Sequence, residues 1–205
     1  MLAGLCFSFV SSVSRAQCPT DIAPTNIAWN GPFQGQSFLM PGTTDCFATF
    51  KFCLRTVDGK EQIYIEDFGP DPNNWGSDCG DITWKSILDA VRENLFQSVT
   101  TDPCSHPNHI VTVVTTFNGS CAKMVSLTGG GVKCFFCGGA YCVKQCDLCQ
   151  DEHFNNYESN CILSVLGTAN CDAISNWNSL TVSAVSTNSW GDNLNQCYFI
   201  NCDTN

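Results

Sequence analysis

"DCFATFKFCLRTVDGKEQIYIEDF", residues 45–68, consists of two runs rich in aromatic and β-branched residues on either side of Asp58-Gly59. Aspartate followed by glycine tolerates the positive φ angles of a two-residue turn, so the segment predicts an antiparallel hairpin. In the first run Phe47, Thr49, Lys51 and Cys53 share one side, and Ala48, Phe50, Phe52 and Leu54 share the other. The second run sets Ile63 and Ile65 against Tyr64 and Glu66. Both faces of this hairpin therefore expect cover. Cys46 and Cys53 lie roughly 23 Å apart along an extended strand, whereas a disulfide needs Cα atoms about 6 Å apart. Each must bond to a different element, on opposite faces.

The segment after the hairpin, "GPDPNNWGSDCGD" (69–81), reads as a loop. It leads into "ITWKSILDAVRENLFQSV" (82–99), in which Ile87, Leu88, Val91, Leu95 and Phe96 form one helical stripe. Asp81 or Thr83 can cap this helix, and Lys85, Asp89, Arg92 and Glu93 mark its solvated side. Val111–Phe117 is strongly β-branched, Asn118-Gly119 reads as a turn, and Ser120–Leu127 returns. Gly129-Gly130-Gly131 predicts a second turn, followed by a strand at Val132–Phe136 and another around Tyr141.

Residues 17–150 thus predict an α+β domain, an antiparallel sheet of hairpins with one amphipathic helix packed on it and stapled by disulfides. Residues 151–205 change character. After Lys144 there is no Lys or Arg, and eleven asparagines fall between Asn155 and Asn205. "CILSVL" and "LTVSAVS" look like short strands within a polar extension pinned by cysteines.

The compartment follows from the first residues, "MLAGLCFSFVSSVSRAQCPTD". Leu2–Val13 carries no charge and ends in Ser14-Arg15-Ala16, the pattern of an export signal over residues 1–16, although the basic residues that usually precede the apolar run are missing. No other segment approaches membrane-spanning length. The remaining chain holds fifteen of the sixteen cysteines. At that density in a secreted chain, Cys18, Cys46, Cys53, Cys79, Cys104, Cys121, Cys134, Cys137, Cys142, Cys146, Cys149, Cys161, Cys171, Cys197 and Cys202 predict a disulfide framework. Fifteen is odd, so one thiol stays free, is committed elsewhere, or joins two copies.

The formal charge is −10 with only 14% charged residues, and Lys and Arg form no cluster. Nucleic acid and anionic membrane are poor partners for such a chain, because neutralising phosphates requires such a cluster, and no membrane insertion is expected.

Cys134-x2-Cys137 and Cys146-x2-Cys149 raise zinc as the alternative to disulfides, with His153 as a nearby imidazole. The eight-residue gap between the pairs is short for a zinc ribbon, and thiols in an oxidising compartment pair with each other. The expectation is therefore disulfides and no cofactor. His106 and His109 form a weaker metal candidate. Asp71, Asn73, Asp78 and Asp81 offer oxygen ligands, but Trp75 and Ile82 stand where a calcium loop needs further oxygens, so turn-making is the preferred role. Asn118-Gly119-Ser120 fits a glycosylation sequon, which the turn already explains.

No nucleophile elbow, zinc-protease helix or phosphate loop occurs. Glu66 and Asp67, at a strand end, would serve a secreted hydrolase only if a cleft brought a second carboxylate opposite. The sequence thus points to a secreted, disulfide-rich, non-catalytic protein, an extracellular binding, adhesion or structural component that meets protein or carbohydrate surfaces. A zinc-binding module and a hydrolase stand behind that reading. The residues assigned to contact are Asn74, Trp75 and Asp78 in "NNWGSD" and Trp190 and Asp192 in "NSWGDN", where an indole among amides and carboxylates can stack and hydrogen-bond.

Overall fold

The computed structural model describes residues 18–105, 112–126, 132–136, 140–153, 155–167, 182 and 198–199. The expected signal peptide lies outside them, as do His106, His109, Trp190, Asp192, Cys137, Cys171, Cys197 and Cys202. The described chain runs β1 (Asn30–Gln34), β2 (Phe38–Leu39), β3 (Cys46–Val57), β4 (Lys60–Trp75), a 3-10 turn (Ser77–Asp81) and α1 (Trp84–Gln97). It continues through β5 (Thr112–Gly119), β6 (Cys121–Ser126), β7 (Val132–Phe136), β8 (Tyr141–Gln150), β9 (Asn156–Leu166) and β10 (Tyr198–Phe199). All the strands belong to one mixed sheet, and α1 is the sole α-helix among the described residues longer than a turn.

Strands β3 and β4 form the hairpin, turning at Asp58 and Gly59 with φ of 51° and 74°. Both positive values suit a turn whose twist matches that of the strands. The second strand is longer than its sequence suggests. β4 passes through Pro70, Asn73 and Asn74 to Trp75, which pairs with Cys46. The segment read as a loop is thus largely strand. Asp71 explains why, because its carboxylate accepts from Ser37 Oγ (2.6 Å), Asn73 N (3.0 Å) and Asn74 Nδ2 (3.1 Å). The Cys46–Cys79 disulfide then ties the strand end to the 3-10 turn.

The expected all-antiparallel sheet is corrected at β5. β5 lies parallel to β4, with Glu61 opposite Val114 and Tyr64 opposite Phe117, so β4, α1 and β5 form a crossover unit. Asn118-Gly119 is not a turn. Both residues end β5 and pair with Cys142 and Tyr141 of β8, and β6 pairs with β7 instead. Asn118 is 1% exposed and accepts from Arg92 of α1 at 2.6 Å. Burial and that bond hold it extended, and the same burial closes the sequon to a glycan in the folded chain.

β5 and β7 share one edge of β4. The first pairs with Glu61–Tyr64 and the second with Asp67–Phe68, while β3 occupies the opposite edge. The sheet therefore forks, with β5–β8–β9 leaving on one side of Glu66 and β7–β6–β10 on the other. Where the branches meet, a Cβ on Gly119 would stand 2.5 Å from Phe136 Cβ. Only glycine allows that approach.

One face of the sheet packs on α1. Its buried side chains Trp84, Ile87, Leu88, Val91, Leu95 and Phe96 meet Phe50, Ile63, Ile65 and Phe68. Thr83 caps the helix, its hydroxyl accepting from Ser86 N at 3.1 Å. A smaller cluster of Ile22, Cys53, Tyr64, Phe117 and Tyr141 is covered by the N-terminal segment. The Cys18–Cys53 disulfide anchors that segment. Arg55, 3% exposed, reaches the carbonyls of Ile22, Ala23, Pro24 and Ile27 and lies 4.2 Å from the Trp29 ring centre.

Candidate functional site

Two places depart from the usual division of apolar interior and polar surface, and they are the natural sites to examine. The first is the fork. The β3–β4 register shifts between Lys51 and Phe52, which oppose Asp67 and Ile65, so Glu66 is the extra residue of a β-bulge. Asp67 is fully buried, held by Lys133 Nζ at 2.8 Å and Lys51 Nζ at 3.5 Å. Lys133 also donates to Thr49 Oγ1 at 3.2 Å. It crosses β4 at Gly69, where an added Cβ would meet Val132 O at 2.7 Å.

Glu66 is only 5% exposed, and neither of its oxygens has a hydrogen-bond partner. Burial first, and the neighbouring Asp67 carboxylate second, push its pKa up, against the pull of Lys51 and Lys133. The sequence expected this carboxylate pair at a strand end. It stands instead in mid-strand, because β4 continues to Trp75, and both side chains are shut inside. Catalysis on a bulky substrate finds no entry there.

Cys134 is opposite Phe68 in the same branch, and it is a free, buried thiol. Burial, with Asp67 nearby, pushes its pKa up, which keeps it in the unreactive thiol form. Among the described residues it is the one free cysteine. Cys18–Cys53, Cys46–Cys79, Cys104–Cys149 and Cys146–Cys161 are bonded pairs, and Cys121 and Cys142 are also disulfide-bonded. With Cys134 set aside, an even number of the other cysteines of residues 17–205 remains.

The candidate zinc set is not brought together by its described members. Cys134 lies in β7, while Cys146 and Cys149 lie in β8 and are bonded to Cys161 and Cys104. His153 projects into solvent. Two other groups place possible ligand atoms close together, Asp45–Cys46–Cys79 and Cys146–Glu158–Cys161. In each, both sulfurs are joined in a disulfide and have no thiolate to offer. Asp71, considered for calcium, has its pKa lowered mainly by the Ser37 hydroxyl and then by the Asn73 amide. Those bonds give it a structural task.

The contact residues read from the sequence are only partly placed. Asn74 is exposed at the end of β4, whereas Trp75 is half-buried and packs against the α1-side core. Asp78 falls in the 3-10 turn with its side chain outside the described ones, and Trp190 and Asp192 lie outside the described residues altogether. A cleft of about 220 Å³ lies beside Cys18, Thr25, Ile27, Trp29 and Arg55, but the Arg55 head is occupied by backbone carbonyls.

The second departure is β9. At its base Asn156 is buried and ties the strand to the end of α1. Its Nδ2 donates to the Phe96 and Val99 carbonyls at 2.7 and 2.6 Å, at and just beyond the last helical turn. Asp151 closes the preceding turn by accepting from the His153 and Asn155 amides, both at 2.8 Å. At Asn160, with φ of 49°, the β8–β9 register slips, and Cys146–Cys161 crosses the two strands there.

Beyond that staple the strand is exposed on both faces. Ile162 is 60% exposed, with Leu163, Val165 and Leu166 also exposed, as is Tyr157 before the staple. Ser159–Gly167 carries no charge, and among the described residues β9 pairs only with β8. Natural edge strands are usually guarded by lysine, proline or shortness. This stretch has none of these guards. A long, uncharged, apolar edge is a surface for adding another strand. The cue in the sequence was "CILSVL" without a flanking charge, which the asparagine-rich surroundings obscured. No family model, curated protein or solved structure matches the chain.

Proposed function

We propose that this is an extracellular binding or structural component that works by surface contact, with β9 as its contact element. The four described disulfides fit an oxidising compartment. Among the described residues no helix is long and apolar enough to cross a membrane. The observation that carries the reading is the two-sided exposure of Ile162–Leu166 on an open sheet edge. Main-chain groups along such an edge supply affinity, and alternate side chains supply selectivity. The disulfide between β8 and β9, together with Asn156, holds the strand in shape before any partner arrives, which lowers the ordering cost of contact.

The test is retention of the purified secreted chain on the extracellular material of its own source. The double substitution Ile162→Lys and Val165→Lys should reduce retention by at least about tenfold, a loss of ~1.4 kcal/mol. The fold should be left unchanged. Equal retention of the two proteins would reject β9 as the contact element.

A further inference from the structure

We infer that the occupant of the β9 edge is the β9 edge of a second copy, the two strands pairing antiparallel about a two-fold axis. This rests on the reading of β9 as a contact element and names its partner.

The chain's own tail is held elsewhere at the points where it is described. Val182 donates its amide to the Ile82 carbonyl at 2.8 Å, beside the start of α1. Tyr198–Phe199 pairs with β6, at the far end of the sheet from β9. Neither point covers β9.

Charge argues for like meeting like. A chain of net charge −10 would draw a foreign partner most readily through basic groups. The strip offers such a partner no anion, since Ser159–Gly167 is uncharged. At its base Glu158 is bound by Lys144, and Asp147 by Asn160 at 2.9 Å. Two copies laid antiparallel over Asn160–Leu166 therefore oppose no like charges, and each exposed side chain finds an apolar neighbour. Ile162 and Leu166 share one face of the strand, Leu163 and Val165 the other, so the pairing buries hydrocarbon above and below the joined sheet.

The area is of the right order. Within the paired stretch four exposed apolar side chains, Ile162, Leu163, Val165 and Leu166, present roughly 300 Å² per copy, the size of the largest patch on a typical monomer and one that is often functional. Doubled by symmetry and extended by the main chain, this stays below the ~1,200 Å² from which stable specific interfaces begin, in the range of weak contacts. The expected dimer is of micromolar strength, as suits a contact of that class.

Sedimentation velocity on the full secreted chain tests this directly. The wild type should pass from monomer to dimer across the micromolar range. Ile162→Lys and Ile162→Glu, prepared separately, should each remain monomeric with unchanged circular dichroism and melting temperature. An equimolar mixture of the two should recover dimer, because position 162 of one copy lies diagonally near position 162 of the other, within reach of long side chains. A wild type that stays monomeric would overturn the inference. So would variants that dimerise as well as the wild type, or a mixture that recovers no dimer. If the wild type is monomeric yet the lysine variant loses retention on extracellular material, the contact reading stands with a foreign strand as occupant. If retention is also unaffected, both fall.

Discussion

At Glu66–Asp67 the molecule buries charge, and at Ile162–Leu166 it exposes hydrocarbon. The two regions have the same strand conformation and belong to one sheet, but their neighbours differ. The fork is enclosed by β3, β5 and β7, so each charge there is matched or left at a cost: Asp67 by two lysines, Glu66 by no hydrogen-bond donor. Among the described residues the β9 edge has a neighbouring strand on one side only, and Ile162–Leu166 are exposed on both faces. The first arrangement is resolved inside the chain and serves architecture. The second is left unresolved by the chain, and another molecule would resolve it.

The largest effect should come from breaking the fork's ion pair. Lys133→Met leaves the buried Asp67 with only the longer, part-exposed Lys51 pair at 3.5 Å and should cost about 3–5 kcal/mol of unfolding free energy in urea titration. A loss below ~1 kcal/mol would mean that the cluster is wetter than its burial indicates. Gly119→Ala comes next. Its new Cβ overlaps Phe136, and the overpacking should cost about 1–3 kcal/mol. A neutral result would show that the two branches of the sheet can part without penalty.

Glu66→Gln should act in the opposite direction. The folded-state pKa of Glu66 is raised, so between the ordinary glutamate value and the raised value the native state holds a proton that the unfolded chain has released. Wild-type stability therefore falls as pH rises through that window and recovers as pH is lowered. The amide is always neutral, so Glu66→Gln should be more stable by about 1–2 kcal/mol at neutral pH, the gap closing in acid. Thermal melts of both proteins from neutral pH into the acid range would show it. A destabilised Gln variant at neutral pH would mean that the carboxylate has a partner. The smallest effect belongs to the edge. Ile162→Lys should change stability by no more than ~0.5 kcal/mol, since the side chain touches so little.

The contrast also explains what could be read from the sequence. The β3–β4 hairpin and the helix were legible because their signals are local: Asp58-Gly59 between alternating runs, a threonine cap and an apolar stripe. The parallel placement of β5 was not, because it depends on where α1 carries the chain. The same Asn118-Gly119 dipeptide that signals a turn in isolation is held extended by burial and by Arg92. Glu66–Asp67 were visible as a carboxylate pair, but their burial depends on β7, whose Lys133 lies 66 residues away. Cys134 could be counted as one of an odd set, yet only its place opposite Phe68 identifies it as the free thiol. β9 was read as one of several short strands in a polar extension. Its long pairing with β8 and its bare outer edge are tertiary facts, which an apolar run of six residues does not disclose.

Amide hydrogen exchange on the wild-type chain, followed as a function of protein concentration, tests most directly whether β9 is completed by contact. Ile65–Phe68 at the fork should be protected at every concentration, because their neighbours lie within the same chain. The amides of residues 160–166 that point away from β8 should exchange rapidly in dilute solution and become protected as concentration rises through the micromolar range, whereas those bonded to β8 stay protected throughout. Protection of the outward amides that is independent of concentration, whether low throughout or already high when dilute, would contradict the account.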